Sequence, residues 1–356
     1  MKILSIVGAR PQFIKCAPLS REIRKGHEEI LVHTGQHYDA EMSDVFFKDL
    51  NIPEPNYNLG IGSSSHAEQT GRMLIEIEKV LIEEEPEMVL VYGDTNSTLA
   101  GALAASKLHI KVAHVEAGLR SFDRRMPEEI NRVMTDHISN LLFCPTETAV
   151  TNLKNEGIIE GIYKVGDVMK DAVEYNRDIA EKRSTILEDL NLVPKEFMVA
   201  TVHRPSNTDS IDNLTSIVKA FIDVDETIVF PVHPRTEKYL KEYALWDKLC
   251  QHVKVIHPLG YLDMLKLMSN AKKILTDSGG VQKEAYMLAV PCVTMRENTE
   301  WVETVQDGWN VLTGADHEKI VSAIEVFRAS KVRNEIFGSG KVSIKICDLL
   351  NLHVHS

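Results

Sequence analysis

Ser278, Gly279 and Gly280 stand where an apolar run ends at Asp277 and a helix-forming sequence begins. Small residues there leave backbone N–H groups uncovered at a helix N-terminus, where the partial positive charge of the helix favours an anion. The turn could therefore hold a diphosphate, and Glu284, one or two turns further on, could accept hydrogen bonds from sugar hydroxyls. An ordinary glycine-containing turn capped by Ser278 explains the same residues, because short glycine motifs also occur by chance.

Three carboxylates follow predicted strands or begin a predicted helix: Asp94, Glu116 and Glu128. Taken singly, Asp94 could cap the helix that follows it, and Glu128 could stabilise the first turn of a helix that starts at Pro127. Ligands of parallel sheets bind at the carboxyl ends of the strands, so we expect all three to converge there. Carboxylates brought together raise one another's pKa, which is how a general acid or base is tuned.

Basic residues occupy similar positions. Arg10, in the turn after the first strand, and Lys15, in the helix that follows, could face one cleft, although solvated side chains would explain them equally well. His203 and Arg204 follow a strand of the second half and could meet a phosphate as charged donors; a buried structural role is the alternative for His203. The polar run of residues 34–39 suggests the rim of a pocket.

The elements that must position these residues alternate along the chain as strand and helix. This rhythm predicts an α/β fold of parallel sheets wrapped by helices on both faces. Strands are predicted at 2–7, 29–34, 88–92, 111–115, 140–144 and 162–165, and then at 197–203, 227–232, 253–256, 274–276 and 291–295. We expect an N-terminal domain over residues 1–169, a C-terminal domain over 170–337, and a final helical segment, 338–356, that packs back across the domain junction.

Composition narrows the class of protein. The 356 residues carry 40 Lys and Arg against 52 Asp and Glu, a formal net charge of −12, and the basic residues are dispersed, which argues against nucleic-acid binding. Five widely spaced cysteines suggest neither a disulfide framework nor a zinc site. Because no apolar run reaches membrane-spanning length and no signal-peptide pattern is present, we expect no membrane association and a cytoplasmic location.

Several familiar catalytic motifs do not occur. No G-x-G-x-x-G follows a predicted strand, which disfavours nicotinamide redox chemistry. The sequence also lacks a Walker A motif and an H-E-x-x-H motif. ATP hydrolysis by a P-loop and zinc proteolysis therefore lose their usual support.

Seven motifs, in order and across nearly the whole chain, resemble those of the non-hydrolysing UDP-N-acetylglucosamine 2-epimerases. They are GARPQFIK at 8–15, TGQHYD at 34–39, YGDTNST at 92–98, HVEAGLRS at 114–121, MPEEINR at 126–132, HR at 203–204 and TDSGGVQKEA at 276–285. The resemblance implies two Rossmann-like domains in the glycosyltransferase B arrangement, facing across a cleft that holds UDP. It also implies a homodimer.

The resemblance implies roles for the candidate residues as well. The UDP diphosphate would be held by Arg10, His203, Ser278, Gly279 and Gly280, the ribose by Glu284, and the sugar would be surrounded by Lys15, Asp94, Glu116, Glu128 and His203. Three departures stand out. Trp301 and Val302 replace an Arg-Pro pair of many bacterial members, and Met264 stands where a Phe usually contacts the uracil. Glu68-Gln69 stands where their second, activating nucleotide-sugar site has Arg-Gln, so regulation by substrate is not implied.

The implied reaction suits these residue types. The C2 hydrogen of the sugar is not next to a carbonyl, so elimination of UDP to a 2-acetamidoglucal, followed by re-addition, inverts C2 with no metal or other cofactor. The same reaction on a UDP-2,3-diacetamido uronic acid is an alternative, as are a UDP-sugar glycosyltransferase and a hydrolysing epimerase. A sensor that only binds the nucleotide sugar would not need three costly buried carboxylates.

Overall fold

The computed structural model describes residues 1–36 and 54–353. The chain forms two compact units, one of Met1–Glu174 with Glu335–Ser356 and one of Tyr175–Asn334. The boundary between Glu174 and Tyr175 lies inside a helix, Val168–Arg183. The boundary predicted after residue 169 lies in the same helix.

The first unit is built on a parallel sheet. Its strands are β1 (Lys2–Val7), β2 (Glu28–His33), β3 (Tyr57–Asn58), β4 (Met88–Tyr92), β5 (Lys111–Val115), β6 (Leu141–Cys144) and β7 (Ile162–Lys164), in the order β3-β2-β1-β4-β5-β6-β7. The helices are α1 (Arg10–Ile23), α2 (His66–Glu84), α3 (Asn96–Lys107), α4 (Pro127–Ile138), α5 (Glu147–Asn155) and α6 (Val168–Arg183).

The second unit repeats this plan. Its strands are β8 (Phe197–Thr201), β9 (Thr227–Pro231), β10 (Lys254–Ile256), β11 (Lys273–Thr276), β12 (Cys292–Thr294) and β13 (Asn310–Leu312), in the parallel order β10-β9-β8-β11-β12-β13. The helices are α7 (Ile186–Asp189), α8 (Pro205–Thr208), α9 (Ile211–Asp223), α10 (Pro234–Glu242), α11 (Trp246–His252), α12 (Tyr261–Asn270), α13 (Gly279–Met287), α14 (Val302–Gln306) and α15 (His317–Val326).

Both strand orders are those of a Rossmann sheet, in which the order of the strands reverses between the first and fourth strands. The reversal lies between β1 and β4 in the first unit and between β8 and β11 in the second. The predicted fold class of two Rossmann-like domains is confirmed. All the predicted strands are present; β3 and β13 were not predicted, since neither has the length or the apolar run of a typical buried strand.

The last helix, α16 (Val342–Leu352), belongs to the first unit and packs against α1. Its N-terminus is held by Asp171 of α6, whose carboxylate accepts hydrogen bonds from the N–H groups of Val342 at 3.1 Å and Ser343 at 2.7 Å. A carboxylate at this position is favoured by the helix dipole. The predicted final helix is therefore present, and this anchor fixes its start.

Small residues bring α3 close to the sheet. Gly101 lies directly over β1, where a Cβ would stand 2.5 Å from Cδ1 of Ile6. Ala100, Ala104 and Ala105 are buried beside it. Because α3 begins next to Asp94, this close packing fixes the turn after β4 against the end of β1.

His33, the last residue of β2, is 1% exposed and packs against the ring of Phe13. Burial lowers the pKa of His33 to about 4. Between pH 6.5 and 4 the unfolded chain therefore takes up a proton that the folded chain does not, so the free energy of unfolding falls as the pH falls through this range.

We expect this group to lower the free energy of unfolding by about 2 kcal/mol at pH 5. Thermal unfolding at pH 7 and pH 5 should show a larger drop in midpoint for the wild type than for His33→Gln. The exposed His257 supplies the control, and His257→Gln should follow the wild type. Equal pH responses of the wild type and His33→Gln would contradict the assignment.

Candidate active site

Gln12, a buried side chain of α1, ties together the turns that follow β1 and β4. Its carbonyl oxygen accepts hydrogen bonds from the N–H groups of Gly8 at 2.8 Å and Ala9 at 3.0 Å. Its amide nitrogen donates to the carbonyl of Tyr92 at 2.8 Å. Arg10, the half-buried first residue of α1, is thereby fixed relative to the turn after β4.

Lys15 of α1 and Glu116, which follows β5, form an ion pair whose side chains are 12% and 8% exposed. Gly93 lies against both. A Cβ at position 93 would be 3.3 Å from Nζ of Lys15 and 3.4 Å from Oε2 of Glu116, and the φ angle of Gly93 is +63°. Glycine is therefore the residue that this turn favours, for its backbone angle and for the space beside the ion pair.

Asp94, the next residue, pairs with Arg132 of α4. Its Oδ2 accepts from Nε at 2.9 Å and from Nη2 at 2.6 Å. The Asp94 side chain keeps 30% of its surface exposed, whereas that of Arg132 keeps 8%. Asp94 is thus held by a buried guanidinium and still faces solvent on one side.

Glu128 and Glu129 both lie in the first turn of α4, but their side chains differ in their contacts. The Glu129 carboxylate accepts from the N–H groups of Ser121 and Phe122 at 2.9 and 2.8 Å and from Arg132 at 2.9 Å. Burial would raise the pKa of Glu129, but these donors hold it below its usual value. Glu129 therefore fixes the preceding loop. Glu128 is half-buried, and within residues 1–36 and 54–353 its side chain forms no hydrogen bond or ion pair.

The first unit thus brings Lys15 and Glu116 together at Gly93, with Asp94 on the next residue. Asp94 and Glu116 each contact a cation of their own. The mutual effect of the three carboxylates on their pKa values stays a prediction.

Thr34 and Gln36, from the predicted pocket rim, contact the start of α3. The hydroxyls of Thr34 and Ser97 lie 2.8 Å apart, and Oε1 of Gln36 accepts from the N–H of Ser97 at 3.0 Å. The other predicted rim residues, His37, Tyr38 and Asp39, lie outside the described residues.

In the second unit, Asp277 joins the segments that follow β8 and β11, the two strands between which the strand order reverses. Its buried carboxylate follows β11 and accepts from the N–H groups of His203 at 3.0 Å and Arg204 at 3.0 Å, and from the amide of Asn207 at 3.1 Å. Nδ1 of His203 is 3.7 Å from Oδ1 of Asp277. The segment after β8 is therefore locked to the segment after β11.

His203 remains 40% exposed at its side chain. Its pKa is lowered chiefly by partial burial; the carboxylate of Asp277 opposes this shift, while the charges of Arg204 and His233 add to it. The imidazole is consequently neutral near pH 7, and a bound anion would favour its protonated form.

Ser278 caps α13, its hydroxyl accepting from the N–H of Val281 at 3.5 Å, and Gly279 and Gly280 form the first helical residues. A Cβ at Gly279 would stand 3.5 Å from Oε2 of Glu300, 3.6 Å from Nε1 of Trp301 and 3.8 Å from Nη2 of Arg204. Two N–H-bearing side chains and the Glu300 carboxylate, which is paired with Arg296, therefore flank the open end of this helix.

Trp301 is 4% exposed, and the Nζ of Lys283 lies 4.2 Å from the centre of its ring. Glu284 lies half-buried in the second turn of α13. The residues predicted to meet a diphosphate and a ribose are thus grouped at one end of the second sheet, apart from Arg10, which belongs to the first unit.

Sequence reasoning missed Gln12, Arg132 and Asp277. Arg132 carried a usable signal, because it follows Glu128 by four residues and so shares a helix face with it. Asp277 was seen only as the end of an apolar run. In the described part of the chain no group of three or more His, Cys, Asp or Glu side chains could hold a metal ion.

No helix of the described chain is long and apolar enough to span a membrane.

A protein-family model described as UDP-N-acetylglucosamine 2-epimerase matches residues 21–351. A Methanococcus maripaludis protein described as a homolog of that enzyme is 62% identical over 98% of this chain and 99% of its own length.

Two further relatives have informative names. The UDP-2,3-diacetamido-2,3-dideoxy-D-glucuronate 2-epimerase of Pseudomonas aeruginosa is 49% identical over 98% of this chain and 99% of its own length. The crystal structure of the Methanocaldococcus jannaschii UDP-GlcNAc 2-epimerase in complex with UDP-GlcNAc and UDP is similar with a TM-score of 0.92 and 50% identity, covering 99% of this chain and 100% of that one.

Proposed function

Because the chain belongs to the UDP-N-acetylglucosamine 2-epimerase family, we propose that it reversibly inverts C2 of UDP-N-acetylglucosamine to give UDP-N-acetylmannosamine. The observation that carries the proposal is the grouping at the end of the first sheet, where Glu116 and Asp94 flank Gly93 and pair with Lys15 and Arg132. Carboxylates so placed suit proton transfer at a sugar carbon.

The reaction we propose is an elimination followed by an addition. The C2–H bond breaks and its electrons form a C1=C2 double bond, while the C1–O bond breaks and its electron pair leaves with UDP. A 2-acetamidoglucal results. Re-addition of UDP at C1, with a proton delivered to the opposite face of C2, gives the other epimer. The two faces of C2 call for two proton-carrying groups.

We assign one of these roles to Glu128. Asp94 and Glu116 each contact a cation, whereas Glu128 contacts none within the described residues. Glu128 can therefore turn to the substrate without breaking an ion pair. The second role falls to Glu116 or Asp94.

Departure of UDP needs donors at its diphosphate. In the second unit, the imidazole of His203, the guanidinium of Arg204 and the backbone N–H groups at Ser278, Gly279 and Gly280 are suited to this task. We propose that they bind the diphosphate together with Arg10 of the first unit, and that Glu284 binds the ribose.

A second candidate substrate is a UDP-2,3-diacetamido uronic acid. The 49% identity to the Pseudomonas aeruginosa enzyme named for that substrate favours it, since the match covers almost the whole of both chains. The chemistry at C1 and C2 would be the same, because the substituents that differ lie at C3 and C6.

We also propose a cytoplasmic location and a homodimer. All five cysteines are free, as expected in a reducing compartment. The family resemblance implies the homodimer, and α4 supports it. The buried face of this helix is polar, while Ile130 and Met134, one turn apart, are 48% and 43% exposed. Phe122, just before this helix, is 77% exposed. A second copy of the chain would cover these apolar side chains.

The dimer can be tested by light scattering during size-exclusion chromatography. We expect the wild type to run with twice the mass of one chain and the double variant Ile130→Glu, Met134→Glu to run as a monomer, because the charges would have to be buried. Ile159→Glu, at an 80% exposed site elsewhere, should stay dimeric. A monomeric wild type would refute the proposal.

The reaction can be tested with UDP-N-acetylglucosamine alone in heavy water, followed by NMR. We expect inversion at C2 with deuterium incorporated there, because the proton should exchange on the carboxylate that receives it. Parallel incubation with the diacetamido uronic acid nucleotide decides between the two substrates. A glycosyltransferase would leave C2 unchanged without an acceptor, and full retention of hydrogen would point to a shielded or redox route.

Removing the negative charge from each candidate carboxylate should slow the reaction. We expect Asp94→Asn, Glu116→Gln and Glu128→Gln each to lower kcat by about 10²-fold or more, with little loss of folded protein. Glu147→Gln, at an exposed position, is the matched control and should keep wild-type turnover. Near-normal kcat in any of the three would remove that residue from the acid–base set.

A further inference from the structure

A buried histidine beside the carboxylate site has no part in the reaction as described above. His114 lies in β5, two residues before Glu116, and its side chain is 0% exposed. Nε2 lies 2.7 Å from the carbonyl oxygen of Gly93, and Nδ1 lies 2.7 Å from Oδ1 of Asp136 on α4. The ring thus bridges α4 to the turn that carries Asp94.

These contacts fix the protonation state of the ring. A carbonyl oxygen only accepts, so Nε2 of His114 must carry a hydrogen. Oδ2 of Asp136 already accepts from Arg120 at 2.7 Å and from the N–H of Gly118 at 3.1 Å. Burial would raise the pKa of Asp136, but His114 and Arg120 hold it below its usual value. Asp136 is therefore ionised, and Nδ1 must donate to it as well.

Charge balance leads to the same state. Arg120 also makes a bidentate pair with Glu156, both contacts at 2.7 Å. The Glu156 side chain is 26% exposed and has Nε2 of His137 at 3.3 Å, so solvent and His137 also face its charge. The fully buried Asp136 shares Arg120 with Glu156 and has His114 on its other oxygen. Buried charges are tolerated when they are paired and hydrogen-bonded, so a protonated His114 completes the pairing of Asp136.

The position of the ring gives this charge a task. The Gly93 N–H donates to the carbonyl of Val115 at 3.0 Å, and its carbonyl accepts from His114, so both polar groups of Gly93 are held by β5. Helix α4 reaches the same turn twice, through Asp136 and His114 to Gly93 and through Arg132 to Asp94. Both backbone polar groups of Gly93, which lies between Asp94 and the Lys15–Glu116 pair, are therefore hydrogen-bonded, and this holds the turn in place.

We propose that His114 is a buried imidazolium that acts as a positioning residue, holding the Gly93–Asp94 turn so that the carboxylates of Asp94 and Glu116 keep their relative placement. The inference rests on the proposed epimerase function. It assigns to His114 no contact with the substrate.

The protonation state can be read without any substrate. In wild-type protein labelled with ¹⁵N-histidine, we expect one histidine to show two protonated ring nitrogens at pH 8, where ordinary histidines are neutral. His114→Gln should remove that signal and so assign it. Absence of an imidazolium signal at pH 8 overturns the proposal, whether or not the variant folds.

Two variants separate positioning from folding. Gln can place an amide N–H near Nε2 and keep the bond to the Gly93 carbonyl, whereas Asn places its amide near Nδ1 and loses that bond. We expect His114→Asn to lower kcat by roughly 10²-fold with little change in KM, the scale of a misplaced catalytic group, and His114→Gln to recover at least part of the loss. Equal kcat in both variants, measured per folded molecule, would overturn the positioning role.

The outcomes also distinguish this inference from the function on which it rests. If the wild type fails to invert C2 of either nucleotide sugar, the proposed function fails, whatever the spectrum shows. If the wild type is active and His114 is neutral, the function stands and the positioning role of an imidazolium fails.

Discussion

The buried face of helix α4 carries charged side chains, where most helices bury apolar ones. The placement of Asp94 and Glu116 depends on these buried charges. Glu129, Arg132 and Asp136 lie on its inner face, and each is matched by donors or acceptors from the turns at the strand ends. A buried charge without such partners would be costly, so these turns have few alternative positions. The need to pair each buried charge of α4 thus fixes the positions of the turns at the strand ends of the first unit.

The parallel sheet makes this arrangement possible. The strand order reverses between β1 and β4. In such folds the helices leave the sheet on opposite sides at this point, so a cleft opens at the ends of the strands. Gln12 closes the gap in the first unit by bonding to both turns, and Asp277 performs the equivalent task in the second. In both units one polar side chain locks the two strand ends between which a ligand of such folds binds.

The sequence predicted the strands, the fold class and the residues after each strand, because periodicity and turn composition are local signals. It did not predict the partners. Asp277 and His203 are 74 positions apart, and Arg132 and Asp94 are 38 apart, so their pairing depends on strand order rather than on local pattern. The strands β3 and β13 were missed for a related reason, since pairing with β2 and β12 defines them.

Backbone conformation adds a constraint that neither burial nor charge explains. Glu116 has a φ angle of +75°, which residues with a side chain adopt at a cost of about 1–3 kcal/mol. Its N–H donates to the carbonyl of Phe143 at 3.1 Å, and its carboxylate pairs with Lys15, so the surrounding contacts offset that cost. An unstrained Glu116 would point its side chain elsewhere and leave Lys15 buried without its partner. The strain at Glu116 therefore directs its carboxylate to Lys15 and to the edge of Gly93, the place where the proposed reaction needs it.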